Sequence, residues 1–188
     1  MAKQFDKLSD VLTRFIEAQH IFFVGSAAAT GQVNVSPKGM DSLRVLDPNR
    51  IVWRNLTGSG NETAGHLAQI NRMTLMWCGF EAKPMILRTY GTACTLHPRD
   101  ADFEALNALF PESDGARQIY DVRIDLVQTS CGYAVPFMDY VGERDVLKDW
   151  TNNKGPDGIA NYWDTRNQLT IDGAPTHILE PDKPEAQR

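Results

Sequence analysis

The sequence predicts an antiparallel β-barrel with helices at its ends, and three observations carry that prediction. Strand-like runs arrive in pairs joined by short turn sequences. Helix-like periodicity appears only as interruptions between those pairs. The composition, 42% hydrophobic and 23% charged over 188 residues, is that of a globular chain able to bury one ordinary core.

The first element is helical. In QFDKLSDVLTRFIEAQ (residues 4–19), Leu8, Val11, Leu12, Phe15 and Ile16 share one face, with Lys7, Arg14 and Glu17 elsewhere. HIFFVGSAA (20–28) reads as a buried strand, and VNVSP (33–37) as its hairpin partner across Thr30-Gly31-Gln32. LRVL and RIVWRN flank Asp47-Pro48-Asn49 as a second hairpin. ETAGHLAQIN predicts a short helix. MTLMWCGF (73–80) and PMILRTYGTACTL (84–96) then form a third pair, and PRDADFEALNALF (98–110) a helix with Phe103, Leu106, Leu109 and Phe110 inward. IYDVRIDLVQTSC (119–131) alternates as a strand, and GYAVPFMDYVG reads as a further extended piece with Pro136 at an edge. Two short helices and an extended tail follow, fraying from residue 180. The expected division is 1–141 for the barrel with its N-terminal helix, and 142–188 for a helical extension and tail packed on it.

The totals exclude several functions. Nineteen Lys and Arg against 24 Asp and Glu leave a net charge of −5 with no basic run, which argues against a nucleic-acid surface. No apolar run approaches the ~20 residues of a membrane span. The charged N-terminus is unlike a secretory signal, so a cytoplasmic protein is expected. Cys78, Cys94 and Cys131 are odd in number and far apart, and the four histidines are scattered. Neither set has metal-ligand or disulfide spacing.

One stretch asks for more than a connector. NLTGSGNETAGHL (55–67) follows a strand and launches a helix. A helix N-terminus offers unpaired amides and a partial positive charge, so an anion is a natural guest. Gly58 and Gly60 would let the backbone approach it, while Thr57, Ser59, Asn61 and Thr63 offer donors. Lys38 and Arg54 are the nearest plausible cations in sequence. A plain loop with a capped helix is the competing reading. No Gly-Lys-Ser/Thr closes the glycine run, so this is not a Walker A loop.

The order strand–loop–short helix–NRMTLM–strand, with VSPKGMDSLRVL before it and ILRTYGTA after it, resembles the pyridoxamine 5′-phosphate oxidase-like, FMN-binding split-barrel family. The resemblance runs from HIFFVGSAAATGQVNVSPKG through TSCGY. It implies a mainly β fold, an antiparallel split β-barrel of Greek-key type with flanking helices, and a homodimer holding FMN between subunits. It also implies a redox reaction on a small-molecule substrate. The cofactor-binding residues it suggests are Lys38, Trp53, Arg54, Asn55, Thr57, Ser59, Gly60, Asn61, Thr63 and Arg88. Trp53 and Arg54 point to opposite faces of one strand, so only one of them can line the pocket with its neighbours. Arg88 could instead pair with a carboxylate or sit at a subunit contact.

Two departures from the oxidase itself are visible. Glu62-Thr63 stands where the oxidase carries an Arg-Lys pair, and the tail has no match to its substrate-binding Arg-Xaa-His. Deazaflavin in place of FMN, or a non-catalytic carrier or sensor of flavin or haem, are the alternatives. Haem is disfavoured, because no histidine has an axial-ligand setting. Cys131 is expected to be a buried, inert thiol, and Trp150, Trp163 and Tyr162 to pack the C-terminal helices. No residue is assigned a catalytic role.

Overall fold

The computed structural model describes residues 2–180; the frayed tail expected from residue 180 lies, from 181 onward, outside the described residues. Eight strands form one antiparallel sheet in the order β3-β2-β6-β7-β8-β5-β4, with β1 added on β8. The strands are β1 (Lys3–Phe5), β2 (Phe22–Ser26), β3 (Asn34–Lys38), β4 (Leu43–Asp47), β5 (Arg50–Leu56), β6 (Met73–Cys78), β7 (Met85–Leu96) and β8 (Ala116–Cys131). All three expected hairpins are present: β2–β3, β4–β5 and β6–β7. The two end strands, β3 and β4, are consecutive in sequence yet unpaired, so the barrel is split between them.

β7 and β8 are long because each serves both halves of the barrel. The first half of β8 pairs with β5, the second half with β1, and β7 runs beside almost its whole length. The β7–β8 ladder shifts register between Tyr90 and Gly91. A Cβ on Gly91 would lie 1.9 Å from the Arg123 carbonyl oxygen, so only glycine fits where the strands cross that closely.

β5 is buried on both faces, and this organises the interior. Ile51 and Trp53 join the main core with Leu12, Ile16, Phe22, Val24, Leu75, Trp77, Leu87 and Tyr120. Val52, on the opposite face, joins a second cluster of Leu96, Phe103, Phe110, Ala116 and Ile119.

The helices are α1 (Asp10–Glu17), α2 (Glu62–Gln69), α3 (Phe103–Asn107) and α4 (Val146–Arg166). Several expectations need correction. Residues 4–9 are not helical: Lys3–Phe5 pairs with β8, and Ser9 caps α1, its side chain accepting from the Leu12 amide. Val11, expected on the apolar face, is 53% exposed. The 98–110 helix shrinks to α3, because turns take up both flanks, and Leu109 is left exposed. The segment 132–145 is irregular rather than a strand, and Cys131, expected to be buried, is exposed at the end of β8 that leads into it. The two expected C-terminal helices form α4 with a break at Gly155, whose φ of 63° is left-handed, followed by Pro156. Among the described residues no helix is long and apolar enough to cross a membrane.

Candidate functional site

A cleft of about 300 Å³ opens where β3, the end of β5, the 57–61 loop and the start of α2 meet. It is lined by Lys38, Asn55, Gly58 to Thr63 and Arg117, together with Asn34, Ser36 and Leu56. α2 begins there without a side-chain cap: Asn61 is the N-cap residue but makes no cap hydrogen bond. The first-turn amides of the helix are therefore left for another partner.

Arg117 dominates the electrostatics. Its guanidinium donates to the Gly58 and Gly60 carbonyls, at 3.2 and 2.9 Å, and its Nε has no partner. Burial pulls its pKa down to about 10. No carboxylate forms an ion pair with it among the described residues. A buried cation bonded only to neutral carbonyls is costly, and an anion in the cleft would offset that cost. The residue sits at the register shift where Leu56 pairs Ala116 and Asn55 pairs Gln118, so the bulge turns it out of the strand alternation.

Lys38 closes the other side. Its ammonium donates to Asn55 Oδ1 at 3.3 Å and lies 5.5 Å from the centre of the Trp53 ring. Burial first, and Arg117 second, lower its pKa to about 8. Asn55 donates in turn to Gln118 Oε1 at 3.1 Å, which also receives the Tyr120 hydroxyl at 3.4 Å, while Gln118 Nε2 is buried and unpartnered. Trp53 is fully buried beneath this chain and stacks on Tyr120 at 4.4 Å.

The structure brings together Lys38, Asn55, Ser59, Gly60, Asn61 and Thr63 in the cleft wall. Thr57 lies just behind the wall: its hydroxyl donates to the Gly115 carbonyl at 3.0 Å and accepts from the Trp163 indole at 2.9 Å. Trp53 is buried beneath the wall and does not line it, and two further sequence-selected residues lie elsewhere. Arg54 is 3% exposed on the opposite face of β5, donating to the Pro111 carbonyl at 2.5 Å and stacked over Phe110 at 5.1 Å. Arg88 is on β7, donating to Ser130 Oγ at 3.3 Å, far along the sheet from the loop. Glu62 lines the cleft, where its charge partly offsets the burial that lowers the Arg117 pKa, while its Oε2 accepts the Ile171 amide at 3.0 Å.

Sequence reasoning missed Arg117 and Gln118, because the eighth strand was expected to begin only at Ile119. It also missed His66, whose Nδ1 lies 3.1 Å from Ser26 Oγ, and whose Nε2 is buried without a partner. Ser26 and Asn34 both reach Thr63 Oγ1 at 3.4 Å. These polar positions were hidden inside apolar-looking elements.

A larger groove, about 790 Å³, runs beside the far end of β7. Its Arg50 is already neutralised by Asp121 through contacts of 2.9 and 2.8 Å, and it contains none of the residues singled out from the sequence.

Comparison with known proteins decides the family. The pyridoxamine 5′-phosphate oxidase family model matches residues 8–131. The chain belongs to the pyridoxamine 5′-phosphate oxidase family. It is also 32% identical over 202 residues to the Aspergillus flavus pyridoxamine 5′-phosphate oxidase family protein ustO, covering 96% of this chain and 80% of that one. Among solved structures, a candidate pyridoxamine 5′-phosphate oxidase of Lactobacillus delbrueckii superposes with a TM-score of 0.54 at 20% identity, covering 65% of this chain and 94% of its own. A histidine-to-alanine variant of HupZ from Group A Streptococcus gives 0.51 at 16% identity, covering 65% and 98%. These two likenesses support the fold of this family member, an antiparallel split barrel.

Proposed function

We propose that this family member binds FMN, with the phosphate seated against the 57–63 loop and the start of α2, and that it serves as an oxidoreductase for a small molecule. The observation that carries the reading is Arg117: a buried guanidinium, unpaired with any carboxylate, beside an uncapped helix N-terminus in one cleft. The residues present fit the group. Arg117 and Lys38 supply charge, Thr63 and Ser59 supply hydroxyls, and Asn55 and Gln118 offer amides for the polar edge of a ring.

Bound flavin would supply hydride and electron transfer, and the protein would supply binding, orientation and shielding. That division accounts for a site in which no acid–base pair of side chains stands out. A homodimer fits the same reading: the cleft holds the phosphate end and leaves the ring needing a second wall. The barrel over 1–141, with the 142–188 extension packed against it in a cytoplasmic protein, completes the proposal.

Purified protein should be yellow, or become so on adding FMN, with the flavin spectrum released on denaturation. A colourless protein whose melting temperature ignores added FMN contradicts the reading. A deazaflavin in the same cleft would show as a thermal shift with that cofactor and none with FMN.

A further inference from the structure

We propose that Asn167, at the end of α4, is a positioning residue for the phosphate loop, so that the C-terminal extension presets the anion site. The proposal rests on the reading of the 57–63 loop as a phosphate seat. Residues beyond 131, Asn167 among them, lie outside the match to the family model.

Asn167 is fully buried. Its side-chain amide donates to the Gly58 carbonyl at 3.0 Å and, more weakly, to the Ser59 carbonyl at 3.5 Å. Its own carbonyl accepts from Asn61 Nδ2 at 3.1 Å and from Thr176 Oγ1 at 2.6 Å. One residue therefore ties both ends of the loop to the C-terminal segment. Around it, the Trp163 indole holds Thr57, Glu62 holds the Ile171 amide, and Asp172 holds the Gln32 amide at 2.7 Å.

The consequence follows from peptide geometry. Gly58, Ser59 and Gly60 each present a carbonyl to Arg117, to Asn167, or to both. The peptides are all trans, and in a trans peptide the C=O and the next N–H point in opposite directions. The amides of Ser59, Gly60 and Asn61 are thereby turned away from those donors, in a loop whose residues line the cleft. None of the three amides is hydrogen-bonded within the described residues. Successive N–H groups held in one concave loop make an anion nest. Without Asn167, Gly58 would be held through its carbonyl by Arg117 alone, and a loop with two glycines would spend more of its time in other conformations.

The test compares wild type with Asn167→Ala, Asn167→Asp and the milder Trp163→Phe. FMN and riboflavin affinities are measured by fluorescence quenching, and backbone order parameters of residues 57–63 are measured by NMR without ligand. Clamping predicts that Asn167→Ala and Asn167→Asp lose at least tenfold in FMN affinity while riboflavin, which lacks the phosphate, shifts less than twofold. Order parameters should fall in the loop and not in the sheet. Trp163→Phe should move both readouts the same way, by less. Unchanged loop order in both a folded Asn167 variant and Trp163→Phe overturns the clamp, as does an unchanged preference for FMN over riboflavin. If wild type binds neither flavin but loop order still falls in the variants, the clamp stands and the FMN reading falls.

Discussion

Two arginines buried to nearly the same degree, Arg54 and Arg117, sit on adjacent strands and live by different rules. Arg54 is enclosed by the α3 side of the molecule, donating to the Pro111 carbonyl and stacked on Phe110, with Arg44 and Asp41 nearby. Its Nε, too, is buried without a partner, and it borders a smaller cavity of about 200 Å³. Arg117 holds two loop carbonyls and keeps an unpartnered Nε at a cleft with an open helix start. Burial and an unpartnered Nε are common to both, so neither marks a binding cation; what sets Arg117 apart is a cleft shared with a second cation, Lys38, and with an uncapped helix start.

The comparison can be broken first at Arg117. Arg117→Met should weaken FMN binding about 100-fold, ~2.7 kcal/mol, with Arg117→Lys recovering part of it, as read by fluorescence titration. Arg54→Met is the converse. It strands the Pro111 carbonyl and should lower unfolding free energy by about 1–3 kcal/mol in urea titrations, leaving FMN affinity within twofold.

Lys38 sharpens the picture through pH. Its folded-state pKa is held down to about 8 from 10.5. An anionic ligand needs the ammonium, so FMN affinity should be flat between about pH 7, where the phosphate is largely dianionic, and about pH 8, and fall as pH rises beyond it. Folding stability of the free protein should change in the opposite sense. The unfolded chain holds more protons between about pH 8 and 10.5, so stability gains from this group as pH rises through that window. Lys38→Met should bind FMN about tenfold less tightly at neutral pH and lose both dependences. The smallest effect is expected from Trp163→Phe, about 1 kcal/mol of stability for the bond to Thr57, with no change in the pH profile.

Much of this was legible in the residues themselves. The hairpins were marked by alternation and by turn chemistry such as Asp47-Pro48-Asn49, and the 55–67 stretch was marked by its glycines and helix start. The family resemblance ordered them into a split barrel. Arg54 misled because strand periodicity says that Trp53 and Arg54 face apart, and cannot say which face carries the cleft. Arg117 was hidden because the strand was expected to start two residues after it, and a bulge, which has no reliable sequence signal, turns it toward the loop. Gln4 and Phe5 of β1 were absorbed into a helix pattern because a three-residue edge strand is too short to show a period of its own. The extended reading of 132–142 followed β-rich composition, with no partner strand left to accept it.

The most direct measurement is the dissociation constant of FMN from the Arg117→Met and Arg54→Met proteins, both shown by circular dichroism to be folded, beside wild type. The account predicts a loss near 100-fold for the first and near-wild-type affinity for the second. Equal losses, or a loss confined to Arg54→Met, would place the phosphate elsewhere and contradict it.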